Sequence, residues 1–406
     1  MIDLRAARAD PEGFRAALER KGAAEAFDEL LVADARWREL ETRASELRAR
    51  TKTKGKPTPE QLEQLREVKA ELQRVEAEHE EAAQRRQELL DRVPNPPDHS
   101  APDGTTDEDA VELRRVGEPP SFSFEPKDHL DLAAGHEWID LERAARVSGA
   151  RFAYRLGEVA MLELALYRFA IDRLVAKGFI PVLPPVLVRE EAMYGTGFLP
   201  TDEVNIYRIE RDELYLTGTS EVGLAAFHLG EELDELPRRY AGYSTNFRRE
   251  SGAAGKDTRG MFRVHQFDKV EMFVFTVPER STEEHDALLA IEEELVQEIG
   301  LAYRVVNVAA GDLGASASKK YDIEAWFPGQ ERYREITSTS NTTDYQARRL
   351  GIRYRREGKL EPVHTLNGTA MTARWLIALM ENFQDEGGAV AVPEPLWGYG
   401  APRRLG

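Results

Sequence analysis

The sequence, 406 residues long, contains no cysteine. Disulfides, thiolate zinc sites and cysteine nucleophiles are therefore excluded. There is no N-terminal apolar run of the signal-peptide kind, and no apolar stretch approaches the length of about 18 residues that a membrane span needs. A soluble cytoplasmic enzyme with no membrane partner is expected. Also missing are G-x-G-x-x-G, a G-x-S-x-G elbow, and H-E-x-x-H or any paired-histidine spacing. Their absence argues against dehydrogenases, kinases, serine hydrolases and zinc proteases, and no structural zinc is expected. GAAGKDT (252–258) looks like a P-loop, but it is too short between its glycines and has Asp after Lys.

Positive charge is in deficit. Lys and Arg number 55 against 73 Asp and Glu, a formal net charge of -18. Such a surface repels nucleic acid as a whole but does not forbid a local basic patch. Residues 1–100 hold 19 Lys/Arg and 22 Asp/Glu, a net of -3, so the rest of the chain carries -15. An RNA would meet the least repulsion at the N-terminal quarter.

That quarter is patterned in heptads. Leu30, Trp37 and Ala44 recur every seven residues, interleaved with Ala33, Leu40 and Leu47. Further on, Leu65, Leu72 and His79 alternate with Val68, Val75, Ala82 and Leu89. Each series is the a/d seam of a coiled coil. Between them, TKTKGKPTPE (51–60) breaks the helix at Gly55, Pro57 and Pro59. The spacing predicts an antiparallel helical hairpin over about residues 27–92, within an N-terminal domain of residues 1–100. Lys52, Lys54 and Lys56 at its tip suit a phosphate backbone. From pattern alone, a dimerisation coiled coil or a solvated spacer fits as well.

VPNPPD (93–98) ends the second helix, and the acidic stretch beyond it shows no periodicity, so a linker is expected over 101–123. A second domain, 124–406, opens with a helix carrying Met161, Leu162, Ala165, Leu166, Phe169, Ile171 and Leu174. Strand-like runs follow at 179–188, 213–218, 262–275 and 303–309, with helices at 281–299 and 372–384. Strands joined with few crossover helices predict an α+β domain on a mixed, mainly antiparallel sheet flanked by helices.

The segment 247–273 reads as strand, loop, strand. Arg248 and Glu250, two apart, would share a face, as would Arg263, Phe267 and Glu271, each four apart. A cation, a ring and a carboxylate on one face, beside a loop with Lys256, Arg259 and Gly260, suit a nucleotide. A charged hairpin on a solvated face is the bland alternative.

Taken in order, these segments resemble a class II aminoacyl-tRNA synthetase, and within that class the seryl-tRNA synthetase family of bacterial type. The run 179–188, with Pro184 and Pro185, is similar to the class's first motif, which implies a homodimer. LTGTSEV (216–222) is similar to the family's Thr-x-Glu loop, which implies Thr219, Ser220 and Glu221 around the serine amino group. FRRES and RVHQFDKVEMF are similar to the second motif. That resemblance implies Arg248, Arg249, Glu250, Arg263 and Val264 on ATP, Phe267 on adenine and Glu271 on serine. REITSTSNTTDYQARR (334–349) implies Glu335, Ile336, Thr337 and Ser338 on ATP, with Glu335 and Ser338 holding Mg2+. TLNGTAMTARWLIALMENFQ (365–384) is similar to the third motif, with Thr369 near the serine hydroxyl and Arg374 on the γ-phosphate. Arg248, Arg263 and Arg374 would be the catalytic residues. The hairpin is similar to the family's tRNA-binding arm.

The implied activity is ligation of L-serine to tRNA(Ser), and to tRNA(Sec) where that exists, with ATP and Mg2+. A carrier-protein ligase is a less favoured alternative, because its kind lacks the arm. A non-catalytic coiled-coil interaction protein is another, disfavoured because the motif residues are all present. A duplicate enzyme resisting serine-mimicking antibiotics would look the same. Two departures stand out. Thr339 and Thr342 occupy positions where many members have cysteine, and are expected to be neutral. The spacing from Thr369 to Arg374 is one residue shorter than in many members.

Overall fold

The computed structural model describes residues 1–52, 58–251, 257 and 259–406, in two compact units, 1–96 and 97–406. Lys54, Gly55, Lys56, Pro57 and Lys256, all singled out in the sequence, lie outside the described residues. Lys52 is exposed.

In the first unit two short helices, α1 (Leu4–Ala9) and α2 (Pro11–Glu19), precede the long α3 (Ala24–Arg50) and α4 (Pro59–Arg92). Helix α4 begins with Pro59, whose missing N–H costs nothing there. Thr58 and Gln61 close a reciprocal capping box around it. Ile2, Leu4, Leu18, Phe27, Leu30, Leu89, Leu90 and Val93 form one apolar cluster. A second, narrower cluster joins Leu40, Ala44 and Leu47 to Val68 and Val75. Ion pairs flank the seam at heptad steps: Glu29–Arg85 (3.3 Å), Arg36–Glu78 (2.8 Å) and Arg43–Glu71. As the number rises on α3 it falls on α4, so the hairpin is antiparallel.

One seam position departs from the heptad reading. Ala33 is only half-buried, whereas its neighbour Asp34 is 1% exposed. Arg8, Arg38 and Arg86 reach the Asp34 carboxylate at 3.0, 3.1 and 2.8 Å. Burial alone would push this carboxyl up, but Arg86 and Arg8 outweigh it and hold Asp34 below the usual carboxylate range. Arg86 also lies 4.5 Å over the Trp37 ring. A polarity-based seam cannot anticipate a carboxylate turned inward, because the arginines that neutralise it come from three helices.

In the second unit the elements that position the site are β1 (Val111–Val116), α5 (Gly157–Ala176), β2 (Ile180–Val182), β3 (Leu187–Val188), β4 (Leu214–Leu216), α6 (Ser220–Ala225), β5 (Arg238–Phe247), β6 (Gln266–Thr276) and α7 (Ser281–Ile299). They continue with β7 (Tyr303–Asn307), β8 (Lys319–Phe327), β9 (Arg332–Thr343), α8 (Tyr345–Leu350), β10 (His364–Thr372) and α9 (Ala373–Asn382). Among the described residues one eight-stranded sheet runs in the order β1-β7-β8-β9-β10-β6-β5-β2. Every pairing in it is antiparallel except β2 with β5. This is the mixed, mainly antiparallel sheet that the sequence led us to expect.

Strand β6 shows why the sheet needs two packed faces. Val270, Met272 and Val274 join the large cluster that includes Leu162, Phe169, Leu295, Val296 and Leu376. Phe273 and Phe275 join a separate cluster with Leu224, Ala347 and Leu350. Successive side chains of a strand point to opposite faces, so both faces of β6 are covered.

Some expectations need correction. Within 101–123, expected to be a linker, β1 forms the edge of the sheet, and Pro102 O and Gly104 O accept from Ala310 N and Gly311 N. Its residues, VELRRV, are almost all exposed, so an apolar periodicity never arises. The run 179–188 breaks into β2 and β3, which belong to different sheets, because its prolines cannot supply ladder N–H groups. TSTSNTT (337–343), which taken alone reads as a polar turn, lies within the twelve-residue β9 near the middle of the sheet. Threonine's β-branching favours the strand, and the hydroxyls bond to neighbouring backbone.

Candidate active site

The strands β6, β9 and β10 and the loop before α6 surround a cavity of about 440 Å³. Of the residues singled out in the sequence, it is lined by Thr219, Glu221, Arg248, Glu250, Arg263, Val264, Phe267, Glu271, Glu335, Ile336, Thr337, Ser338, Thr369 and Arg374. Two are elsewhere. Ser220 is buried with its Oγ 2.7 Å from Ser244 Oγ. Arg249 is exposed, with its guanidinium over the Tyr207 ring at 5.8 Å.

Only part of the second motif lies on a strand face. Phe267 and Glu271 lie on β6 and reach the cavity by strand alternation. Arg248, Glu250 and Arg263 lie beyond the ends of β5 and β6, in the connecting loop. Glu250 adopts a φ of 53°, a left-handed conformation costly for a side chain with a Cβ. Its carboxylate meets Arg263 in an ion pair. Arg248 Nε donates to Gly218 O (3.0 Å), and its guanidinium lies 5.3 Å from the Phe267 ring centre. The two arginines are thus aimed by loop contacts that no period-2 pattern encodes.

The Thr-x-Glu loop is a helix start. Thr219 is the N-cap of α6, and its side chain accepts from Glu221 N at 3.2 Å. Capping fixes the backbone that carries Glu221 into the cavity wall. Glu221 Oε1 accepts from Asn367 Nδ2 (3.0 Å) and Gln346 Nε2 (2.7 Å). Burial pushes its carboxyl up, against the pull of these donors and of Lys269 and Arg248.

Glu271 and Thr369 sit directly opposite each other across β6 and β10. Thr369 Oγ1 lies 3.5 Å from Glu271 Oε2, at the limit of a hydrogen bond. Lys269, two residues back on the same face, forms an ion pair with Glu271. Burial raises Glu271 to about 7 despite that lysine, and the nearby Glu221 adds to the rise.

At the other end of the cavity Arg374 occupies the first turn of α9, where Thr372 caps its backbone N–H (3.3 Å). The helix N-terminus adds its own favourable field for an anion. Arg374 Nη1 reaches Glu335 Oε2 at 3.3 Å and Glu335 O at 3.1 Å. Burial would raise Glu335, but Arg374 and Lys320 outweigh it and keep the group ionised. The shorter spacing from Thr369 leaves both residues in the same cavity.

Sequence reasoning missed several lining residues. Phe262 has two guanidiniums over its ring, Arg334 at 3.8 Å and Arg374 at 4.7 Å from the ring centre. Lys320 pairs with Asp322 (2.9 Å) beside Glu335, and Asn367 and Lys269 also line the wall. Only Lys269 could have been found, since it shares the strand face of Phe267 and Glu271. Thr339 and Thr342 are not idle. The Thr339 hydroxyl donates to Asn367 O (2.8 Å), and the Thr342 hydroxyl lies within hydrogen-bond reach of both Thr365 O (2.7 Å) and Thr365 Oγ1 (2.6 Å), tying β9 to the strand that carries Thr369.

Comparison with known proteins identifies the family. Residues 1–97 match the Seryl-tRNA synthetase N-terminal domain family, and residues 205–383 match the tRNA synthetase class II core domain of the G, H, P, S and T enzymes. A serine–tRNA ligase of Thermobifida fusca (strain YX) is 50% identical, covering 98% of this chain and 96% of its own length. The seryl-tRNA synthetase of Pyrococcus horikoshii, solved with ATP, superposes with a TM-score of 0.94 at 41% identity, covering 100% of this chain and 99% of that one. A cytoplasmic serine–tRNA ligase of Naegleria fowleri, solved with AMP, gives 0.89 at 34% identity, covering 98% and 95%. With an N-terminal and a core segment matched in order and relatives alike over nearly its whole length, the chain belongs to the seryl-tRNA synthetase family of class II aminoacyl-tRNA synthetases.

Proposed function

We propose that the chain ligates L-serine to tRNA(Ser) in two steps through seryl-adenylate, using ATP. The observation that carries this reading is the single cavity in which Glu221, Glu271 and Thr369 face the same space as Arg248, Arg263 and Arg374. One group of side chains suits a small amino acid with a hydroxyl, the other a polyphosphate.

In the first step a serine carboxylate oxygen attacks the α-phosphorus, and the bond to pyrophosphate breaks. The carboxylate is ionised at neutral pH, so positioning and charge stabilisation suffice. Arg248 and Arg263 offset charge on the α-phosphate, Arg374 takes the γ-phosphate, and Phe267 stacks on adenine. Arg263 would exchange its bond to Glu250, and Arg374 its bond to Glu335, for phosphate oxygens. Among the described residues no cluster of three or more His, Cys, Asp or Glu could hold a metal unaided. One ionised carboxylate, Glu335, with the Ser338 hydroxyl nearby, fits Mg2+ arriving on ATP, where phosphates and water supply the other ligands. Bound there, Mg2+ would neutralise phosphate charge. In the second step the tRNA 3′-hydroxyl attacks the carbonyl carbon, AMP leaves, and the hydroxyl proton passes to the departing phosphate.

Serine is selected by buried hydrogen bonds from Glu271 and Thr369 to its hydroxyl. Alanine would leave both unsatisfied, a loss that reaches about 10⁴-fold in sites built for a hydroxyl. The helical hairpin is assigned to tRNA, on its resemblance to the family's arm.

The assembly we propose is a homodimer. Met161, Leu164 and Val175 on α5, with Ile180, Leu183 and Leu187 just beyond, are large apolar side chains left exposed, Leu183 at 80%. Large apolar side chains exposed so close together in the sequence suit an interface. Sedimentation at micromolar concentration tests it, and a monomer would remove it. No helix among the described residues is long and apolar enough to cross a membrane.

Serine-dependent ATP–pyrophosphate exchange, beside alanine, threonine and glycine, with charging of purified serine tRNA as the second readout, tests the whole reading. Exchange and charging with serine alone is the expected result. Exchange without charging would favour a carrier-protein acceptor, and no exchange at all would overturn the proposal.

A further inference from the structure

Behind the Thr219–Glu221 loop, the side chain of Gln346 on α8 is 0% exposed. Its Nε2 donates to Glu221 Oε1 (2.7 Å) and to the Thr196 carbonyl (3.2 Å). Its Oε1 accepts from Thr365 Oγ1 (2.9 Å), and Thr342 Oγ1 lies 3.4 Å away. The two threonine hydroxyls are 2.6 Å apart and form a short chain behind the amide. A carbonyl and a carboxylate can only accept, so the amide must turn its NH2 toward Thr196 and Glu221. The orientation is therefore fixed by the partners and not by convention.

Glu221 Oε1 receives two donors, from Gln346 and from Asn367. Among the described residues no hydrogen bond to Oε2 accompanies them. One oxygen of the carboxylate is tied to the wall, and the other remains for a cation in the cavity.

We propose that Gln346 is a positioning residue for serine recognition: it holds one oxygen of Glu221 so that the other meets the substrate's ammonium. This rests on the assignment of Glu221 to the serine amino group made above. Thr342 and Thr365 are the second layer of the same device, because they fix the amide that fixes the carboxylate. Gln346 also favours the ionised form of Glu221, which burial opposes. The other charged groups facing Glu221 are Lys269, Arg248 and Glu271. Losing the Gln346 donor therefore moves the pH at which Glu221 ionises upward.

The test is pyrophosphate exchange on the full-length chain, with Gln346→Met, Gln346→Glu and Thr342→Val beside the wild type. Gln346→Met keeps the length and removes the donor. KM for serine is expected to rise on the order of 10- to 100-fold, as for a lost hydrogen bond to a charged group. KM for ATP should stay within about twofold, and the acidic limb of kcat/KM for serine should move to higher pH. Gln346→Glu should show the same split between the two substrates. Thr342→Val, one bond further out, should raise KM for serine about threefold. Two results would overturn the proposal. One is a serine KM unchanged in both Gln346 variants. The other is serine and ATP KM rising together with no movement of the acidic limb, which would make the role one of packing. If circular dichroism shows the Gln346 variants unfolded, Thr342→Val decides alone, and an unchanged serine KM overturns the idea. A wild type without serine-dependent exchange overturns the site assignment itself. An active wild type with silent Gln346 variants overturns only the role of Gln346.

Discussion

In the helical hairpin, charges line the outside of an apolar seam and meet in pairs at heptad steps, Glu29–Arg85, Arg36–Glu78 and Arg43–Glu71. In the catalytic unit they converge inside, with Lys269 on Glu271, Arg263 on Glu250 and Arg374 beside Glu335 around one cavity. Exposed pairs are screened and individually weak, whereas buried groups alter each other's ionisation and must be matched. The first arrangement tolerates exchange of a single residue; the second does not. Asp34 is the exception within the hairpin, a buried carboxylate with three arginines.

That contrast can be broken at either end. The largest effect is expected from Glu271→Ala, which should erase up to about 10⁴-fold of the preference for serine over alanine. Exchange rates with the two amino acids measure it, and unchanged discrimination would remove Glu271 from the pocket. Arg263→Ala should lower exchange by about 10³-fold while leaving thermal stability nearly intact. Near-normal exchange would sink its role.

A third prediction concerns pH. Glu271 is raised by burial to about 7, and burial drives Glu292 well above its ordinary value too. The native state then binds more protons than the unfolded chain above about pH 4.5. The stability these groups contribute is fully present below that pH and is lost as pH rises through about 7. Glu271 accounts for about 3 kcal/mol of that slope. Buried His285, held down to about 4, acts in the opposite direction up to about pH 6.5, so the test is the difference: between pH 5 and pH 8 the melting temperature of Glu271→Gln should drop less, or rise more, than that of the wild type. An equal slope in both proteins would contradict this.

In the hairpin, Asp34→Ala should cost about 2 kcal/mol, less than a fully buried pair because Arg8, Arg38 and Arg86 are partly exposed. Chemical denaturation followed by helical circular dichroism reads it, with exchange unchanged. The smallest effect is expected from Arg36→Ala, below about 0.5 kcal/mol, since both partners of the Arg36–Glu78 pair are exposed. A larger loss would mean that the ladder acts as one network.

The two regions were also unequally legible from sequence. Heptads exposed the hairpin because one apolar stripe with polar flanks is a local pattern. Asp34 escaped because its partners are far apart in the chain. In the catalytic unit, Phe267 and Glu271 followed from alternation, and Thr219 and Glu221 from resemblance to a loop that proves to be a helix cap. Arg248 and Arg263 were expected on strands and lie in the loop between them. Strand β1 and the threonine-rich β9 were missed, since neither alternates apolar with polar residues. Gln346 gave no signal at all. Its importance lies in four partners from 150 residues upstream to 19 downstream, and only a fold brings those together.

The order of strands in the large sheet sets a timetable for synthesis. Strand β10 lies between β9 and β6, yet it is the last of the eight to be made. A nascent chain that stops before His364 has two half-sheets with no strand to join them, and its hydrophobic faces stay open. At roughly 5–20 residues per second the ribosome needs about 15–50 seconds to pass from the start of the second unit to that point. The hairpin needs only neighbours close in sequence and can form early in that interval. The enzyme's own translation therefore contains a long window of exposure to aggregation and proteolysis, which ends only when the strand carrying Thr369 leaves the exit tunnel.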